Sequence, residues 1–275
     1  NSLDFLIFFP IVVLLYFIIP KKIRYIWLLV ASYYFYMCWN AEYALLIGVS
    51  TLITYISGLF LGIFEKTWLR KLVVALSFIS NLGILVFYKY FDFILENVNV
   101  VLNQFGAQLV ENPFDIILPV GISFYTFQAL SYTVDVYRKE IEPEKNPLKY
   151  ALFVSFFPQL VAGPIERSKN LLNQVKKIDK IKLWNYDRVA NGVVLMVWGM
   201  FQKMVIADRV SIFVDAVYNN LHAVGTLETV FAAVGFSIQI YCDFAAYSTI
   251  AIGAAKVLGL ETMANLDTPY LAKGS

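Results

Sequence analysis

Leu-Lys-Tyr-Ala-Leu-Phe-Val-Ser-Phe-Phe-Pro-Gln-Leu-Val-Ala-Gly-Pro-Ile, residues 148–165, is apolar enough to enter a membrane and too interrupted to cross one. Arg138, Lys139 and Lys145 precede it, Lys149 sits at its start, and Arg167, Lys169, Lys176, Lys177, Lys180 and Lys182 follow it. Cytoplasmic loops are enriched in Lys and Arg, so both flanks belong on one side and a single crossing would break the rule. Pro158 and Pro164 carry no backbone N–H, and Gly163 weakens a helix. The segment is therefore predicted to be re-entrant. Pro158, Gln159, Gly163 and Pro164 would form a broken element whose freed backbone groups are buried against protein or line a cavity.

The rest of the chain fits this setting. Of 275 residues, 59% are hydrophobic and only 15% charged, with 17% aromatic; a soluble domain carries roughly 25% charged residues. The fold class predicted is an all-α polytopic membrane protein, a multi-helix bundle in which re-entrant or broken helices form a funnel. A net charge of +2 gives no support to nucleic-acid binding. Tyr33-Tyr34-Phe35-Tyr36 leading to Trp39 has the composition of an interfacial aromatic belt. Cys38 and Cys242 are read as small apolar packing residues, which leaves no disulfide framework, zinc site or nucleophile. The apolar stretch Leu3 to Ile19 lacks the basic leader and cleavage site of a signal peptide and is read as a retained helix.

Spans of about 20 apolar residues fall near Leu3 to Ile19, Tyr25 to Trp39, Tyr43 to Phe64 and Leu72 to Phe91. Lys21, Lys22 and Arg24 follow the first, Glu42 the second, and Lys66, Arg70 and Lys71 the third. This alternation puts the N-terminus outside. Asn97 to Asn112 is read as a surface helix, Ile116 to Val136 as an inward crossing, and Val189 to Ile206 as a further span ending at Asp208 and Arg209. Val230 to Leu260 is predicted to hold one span and a bent or short second helix, with Gly253 and Gly259 as its weak points. One membrane domain accounts for residues 1–275.

Within that last stretch lies one acid, Asp243. Ionised groups at bilayer depth are expensive and work on substrates, ions or protons, or fix helix packing. Asp243 either orients a partner donor such as a His or Arg, or pairs with another helix through Tyr, Ser, Gln or Lys. Gln239, Tyr241, Tyr247 and Ser248 accompany it as funnel candidates. Lys203, Asp208 and Arg209 are read as an ion-paired helix end. The basic run Arg167 to Lys182 is read as an anchor to anionic membrane lipid, or a dock for an acidic carrier protein. His222, the sole histidine, lies in a polar loop without a neighbour to orient it as a base. No phosphate loop, dinucleotide fingerprint or nucleophile elbow is present.

Five blocks resemble the membrane-bound O-acyltransferase family, in the bacterial branch of alginate O-acetylation and teichoic-acid D-alanylation membrane proteins. They are residues 1–6 (NSLDFL), 118–124 (LPVGISF), 131–138 (SYTVDVYR), 157–165 (FPQLVAGPI) and 239–244 (QIYCDF); the alginate type is the more similar. Ala246 and Thr249 stand where such proteins tend to have Gly and Asp. The resemblance implies a cell-membrane enzyme that moves an acyl group, most simply acetyl, from a cytoplasmic thioester to hydroxyls of an extracytoplasmic polysaccharide or cell-wall polymer. The donor would be acetyl-CoA or an acyl carrier protein acting as substrate, with no bound cofactor or metal, and an extracytoplasmic acyltransferase would be a partner. It also implies a general-base His beyond Ser275, so residues 1–275 are expected to be an inactive N-terminal portion holding no catalytic residue. The alternative is a non-catalytic transporter, channel or lipid-handling protein with Asp243 and Asp135 as relay groups.

Overall fold

In the computed structural model of the chain, residues 3–114, 118–160, 163, 166–220 and 222–264 are described. Among them there is no strand, and the helices are α1 (Leu3–Ile18), α2 (Arg24–Met37), α3 (Ala41–Ile63), α4 (Thr67–Gln104), α5 (Ile122–Tyr137), α6 (Pro147–Ser155), α7 (Phe157–Leu160), α8 (Ser168–Lys176), α9 (Tyr186–Phe201), α10 (Asp208–Tyr218) and α11 (Thr226–Leu258). Among the described residues, four helices are long and apolar enough to cross a membrane: α3, α4, the 33-residue Tyr186–Tyr218 rod and α11. The fold is that of an all-α polytopic membrane protein.

The loops rich in Lys and Arg converge on one end of the bundle. Buried Arg70 donates to the carbonyls of Leu61 and of Tyr137 (2.7 Å), stapling the C-termini of α3 and α5 together. Tyr55 Oη donates to the Lys145 carbonyl at 2.8 Å, Lys149 Nζ to the Lys176 carbonyl at 3.0 Å, and Lys176 pairs with Glu144 at 3.2 Å. The Lys149–Lys176 bond ties the entrance of the 148–165 segment to the end of α8. The chain therefore returns to the side from which it entered. The opposite end carries Asp4, Glu42, Asp92 and Glu96.

The 148–165 segment forms α6 followed by α7, broken at Phe156. Nine residues of helix rise about 14 Å, under half of a hydrocarbon core of about 30 Å, so α6 cannot span. In a continuous helix Phe157 N–H would bond the Phe153 carbonyl. Here Phe157 N–H donates to Ser32 Oγ of α2 at 3.2 Å, and the Phe153 carbonyl accepts from Gln128 Nε2 of α5 at 2.7 Å. Both halves of the broken bond have found side-chain partners, the condition for irregular backbone at membrane depth. Gln159 Nε2 donates to Gln128 Oε1 at 2.7 Å and joins the same buried cluster. Gly163 turns so tightly that an added Cβ would lie 2.3 Å from Gln159 Cα. Pro164 lies outside the described residues.

Several boundaries differ from the sequence expectations. Residues 97–104 complete α4 instead of starting a surface helix, because nothing interrupts its apolar face before Gly106, where φ is +66°. The 105–112 stretch is non-helical, held by Asn99 bonding Val110 through both its amide groups. The inward crossing starts at Ile122 rather than Ile116, since Gly121 caps it in a left-handed conformation at φ 75°. The helix after Val189 does not stop at Asp208: Gln202–Ala207 forms a π-helical turn that carries it on to Tyr218. α11 is one unbroken helix of 33 residues, and Gly253 is a packing point within it. A Cβ on Gly253 would meet the Gly192 carbonyl at 2.6 Å, and one on Gly199 the Ala246 carbonyl at 2.8 Å. Small residues let α9 and α11 approach backbone to backbone, the usual device where lipid gives no hydrophobic drive to helix pairing.

Candidate functional site

Helix length shapes a depression. α1 and α2, with 16 and 14 residues, rise about 24 and 21 Å, whereas α4 and α11 are more than twice as long as α2. Between the short pair, the broken α6/α7 segment and the α9/α11 pair lies a cavity of about 530 Å³. Phe157, Pro158 and Gly163 contribute from the broken segment. Asp4, Phe5 and Phe8 come from α1, Tyr34 and Phe35 from α2, Cys38 and Trp39 from the turn after it, and Met200, Tyr247, Ile250, Ala251 and Ala254 from α9 and α11. Its walls are aromatic: Phe8 stacks on Tyr34 at 5.9 Å and meets Phe157 edge-on at 5.5 Å, and Phe35 meets Trp39 at 5.8 Å. Stacked and edge-to-face ring pairs of this kind attract one another through their quadrupoles.

Asp243 pairs with a residue read from sequence as belonging to a helix end. Lys203 Nζ lies 2.5 Å from Asp243 and 3.0 Å from Asp208, and 5.6 Å from the centre of the Tyr247 ring. Lys203 sits in the π-turn, in the middle of a continuous helix, so the end-of-helix account is corrected. The π-turn has a consequence here, since its extra residue rotates the following side chains and brings Lys203 and Asp208 to one ammonium-centred cluster. Two carboxylates share one ammonium, at 49% and 42% side-chain exposure for Asp208 and Asp243 against 19% for Lys203.

Gln239, Asp243 and Tyr247 recur every four residues and so form one stripe of α11, which runs from the charged cluster into the cavity at Tyr247. Tyr241 and Ser248 are two and five residues from Asp243, which turns them to other faces of the helix; Ser248 is buried. Pro158 and Gly163 line the cavity while Gln159 is buried in the Gln128 cluster. Asp135, the other acid of the relay alternative, accepts from Ser168 Oγ at the basic end. His222 is exposed in a turn. Sequence reasoning missed Ser32 and Gln128, which no local pattern marks; it named Lys203 with Asp208 as ion-paired but not as the partner of Asp243, a meeting that the π-turn makes.

A helical bundle with four membrane-length apolar helices and a broken helix flooring an aromatic cavity defines the class: an all-α polytopic membrane protein. Comparison with known proteins carries this further. A probable alginate O-acetylase of Pseudomonas aeruginosa is 33% identical over 271 residues, 97% of this chain and 50% of that protein. The peptidoglycan O-acetyltransferase of Helicobacter pylori is 31% identical over 294 residues, 96% of this chain and 55% of that protein. The teichoic acid D-alanyltransferase of Bacillus subtilis is 26% identical over 170 residues, 58% of this chain and 40% of that protein. No family model matches the chain. The chain is homologous to these members of the membrane-bound O-acyltransferase family, and spans about half the length of the curated relatives it matches. Identity and coverage are both higher against the alginate O-acetylase than against the D-alanyltransferase.

Proposed function

We propose that residues 1–275 form the N-terminal, passage-forming portion of a membrane O-acyltransferase and make up a single, incomplete acyltransferase domain. The enzyme takes an acyl group, acetyl by analogy with the most similar relatives, from a cytoplasmic thioester and delivers it toward hydroxyls of an extracytoplasmic polysaccharide or cell-wall polymer. The observation that carries this reading is the aromatic cavity floored by the re-entrant element, with the basic loops gathered at the far end. A passage shortened from both sides lets donor and acceptor meet without either crossing the hydrocarbon.

In this reading the basic end faces the cytoplasm and the N-terminus the outside of the cell membrane. The cationic end receives the anionic donor, acetyl-CoA or an acyl carrier protein, and the cavity admits the acceptor or an extracytoplasmic partner that relays the acyl group. The chemistry is attack of a hydroxyl on a thioester carbonyl, with a neutral His taking the hydroxyl proton and the thiolate leaving as thiol. That His lies in the part of the enzyme that follows Ser275. Asp243, with Gln239 and Tyr247 on its stripe, holds Lys203 at the wall of the passage, and Pro158, Gln159 and Gly163 shape its floor.

The test is mass spectrometry of surface glycans from cells with and without the full reading frame that contains this chain. Loss of O-acyl groups on deletion, and no restoration by a protein ending at Ser275, is the expected result. Unchanged acylation on deletion, or transfer by the Ser275-terminated protein, would overturn it. Asp243→Asn and Asp243→Ala in the full-length protein, read as acylation and as protein level separately, divide a role in the passage from a role in packing.

A further inference from the structure

α11 leaves the bundle under unusual constraint. Gly259 caps it at φ 87°, where a Cβ would lie 2.5 Å from Ile181 and 3.2 Å from the Arg188 guanidinium, and Leu260 is fully buried. Glu261 and Met263, which follow, are held by Glu166, just before α8, and by Asn170 and Gln174 within it. Gln174 Oε1 accepts from Glu261 N–H at 2.7 Å while Gln174 Nε2 donates to the Glu261 carbonyl at 2.7 Å, so one amide takes both main-chain groups of one residue. Asn170 Nδ2 adds a longer bond to the same carbonyl at 3.3 Å, and Glu166 accepts from Met263 N–H. The holders are tied to one another, Gln174 to Asn170 at 2.9 Å and Asn170 to Glu166 at 2.8 Å.

Two points separate this from ordinary loop bonding. The hydrogen bonds that these three side chains make to residues 261–263 all go to the backbone, so they fix its path and are indifferent to its side chains. The segment is also held by the carboxylate of a residue with 0% exposure, whose two oxygens accept from the Met263 N–H and the Asn170 amide; burying a carboxylate is costly unless such bonds satisfy it. Neither Glu166, Asn170 nor Gln174 belongs to the cavity or to the Lys203 cluster. We propose that Glu166, Asn170 and Gln174 are a backbone clamp that positions the segment following α11 against the basic end of the bundle. The clamp's bearing on catalysis rests on the acyl-transfer reading, in which that segment leads to the general base. These are positioning residues acting through the strand they hold.

Two measurements on the full-length protein test this. Amide hydrogen exchange is followed at Glu261 and Met263 for wild type, Gln174→Ala, Gln174→Glu and a control, Asn173→Ala, on the exposed side of α8. Surface-polymer acylation and protein abundance are measured in the same strains. Exchange at the two amides should rise roughly tenfold in Gln174→Ala as the local opening cost falls, with acylation lowered at normal abundance. Gln174→Glu keeps the acceptor for the Glu261 N–H and should fall between, and Asn173→Ala should match wild type. Unchanged exchange in Gln174→Ala overturns the clamp; raised exchange with full acylation overturns its positioning role. Should the wild-type protein acylate nothing, the acyl-transfer reading fails by itself, and the exchange data still decide the clamp.

Discussion

Lys203 is the residue on which the electrostatics of the α9/α11 pair turn. Without its ammonium, Asp208 and Asp243 would face each other across apolar helices. Breaking a fully buried ion pair costs about 3–5 kcal/mol; with the carboxylates half exposed, we expect Lys203→Met to cost about 1–3 kcal/mol, measured by thermal unfolding in detergent. Asp208→Asn combined with Lys203→Met should recover part of that loss. Glu166 gives a pH test. Burial raises its carboxyl above the ordinary 4.5, against the pull of the Met263 N–H and Asn170. The folded state then binds the proton more tightly than the unfolded chain, so stability is greatest below the ordinary value. It falls as pH rises through the window up to the raised folded value, and is flat above it. Glu166→Gln should abolish that slope in melts recorded from acid to neutral pH. Asp243 was visible in the sequence because an acid in a long apolar run is conspicuous. Its partner was not, because Lys203 falls on a different helix and reaches the cluster only through a π-turn that no residue pattern announces.

The broken helix makes the sharpest prediction among the elements. Ser32 and Gln128 divide between them the hydrogen bond that α6 and α7 gave up. Gln128→Leu would leave the Phe153 carbonyl and Gln159 Nε2 only the long 3.4 Å bond they make to each other, a loss of about 1–3 kcal/mol; the measurement is the detergent melting temperature, with Gln128→Glu as a size-matched comparison. The α9/α11 contact predicts in the opposite sense. Any side chain on Gly199 or Gly253 overlaps the partner backbone, so Gly199→Leu should push the helices apart at a cost of about 1–3 kcal/mol or more, read as lost folded protein in size-exclusion chromatography. The break in the 148–165 segment was legible in advance because Pro158 and the basic flanks are local facts. The continuity of α11 was not: Gly253 and Gly259 look alike in sequence, yet one is pressed against Gly192 inside a helix and the other ends it.

For the molecule as a whole, the positions of the basic loops imply a labelling experiment. Cysteines introduced at Lys22, Lys145 and Lys176 should react with a membrane-impermeant maleimide from one side of sealed vesicles, and cysteines at Asn40 and Asn112 from the other, once Cys38 and Cys242 are replaced by Ala. Reaction of the Lys145 and Lys176 positions from opposite sides would remove the re-entrant architecture and with it the passage. By itself the sequence determined the membrane class, the alternation of charged loops and the kinship to O-acyltransferases, because each rests on composition or on short contiguous blocks. Only the tertiary structure decided which side chains close the helix break, where the aromatic cavity forms, which cation meets Asp243 and how the strand after α11 is held. Those are contacts between residues distant in the chain, Ser32 with Phe157, Gln128 with Phe153, Lys203 with Asp243, Gln174 with Glu261, and hydrogen-bond geometry of that kind is set by packing, which a one-dimensional pattern does not encode.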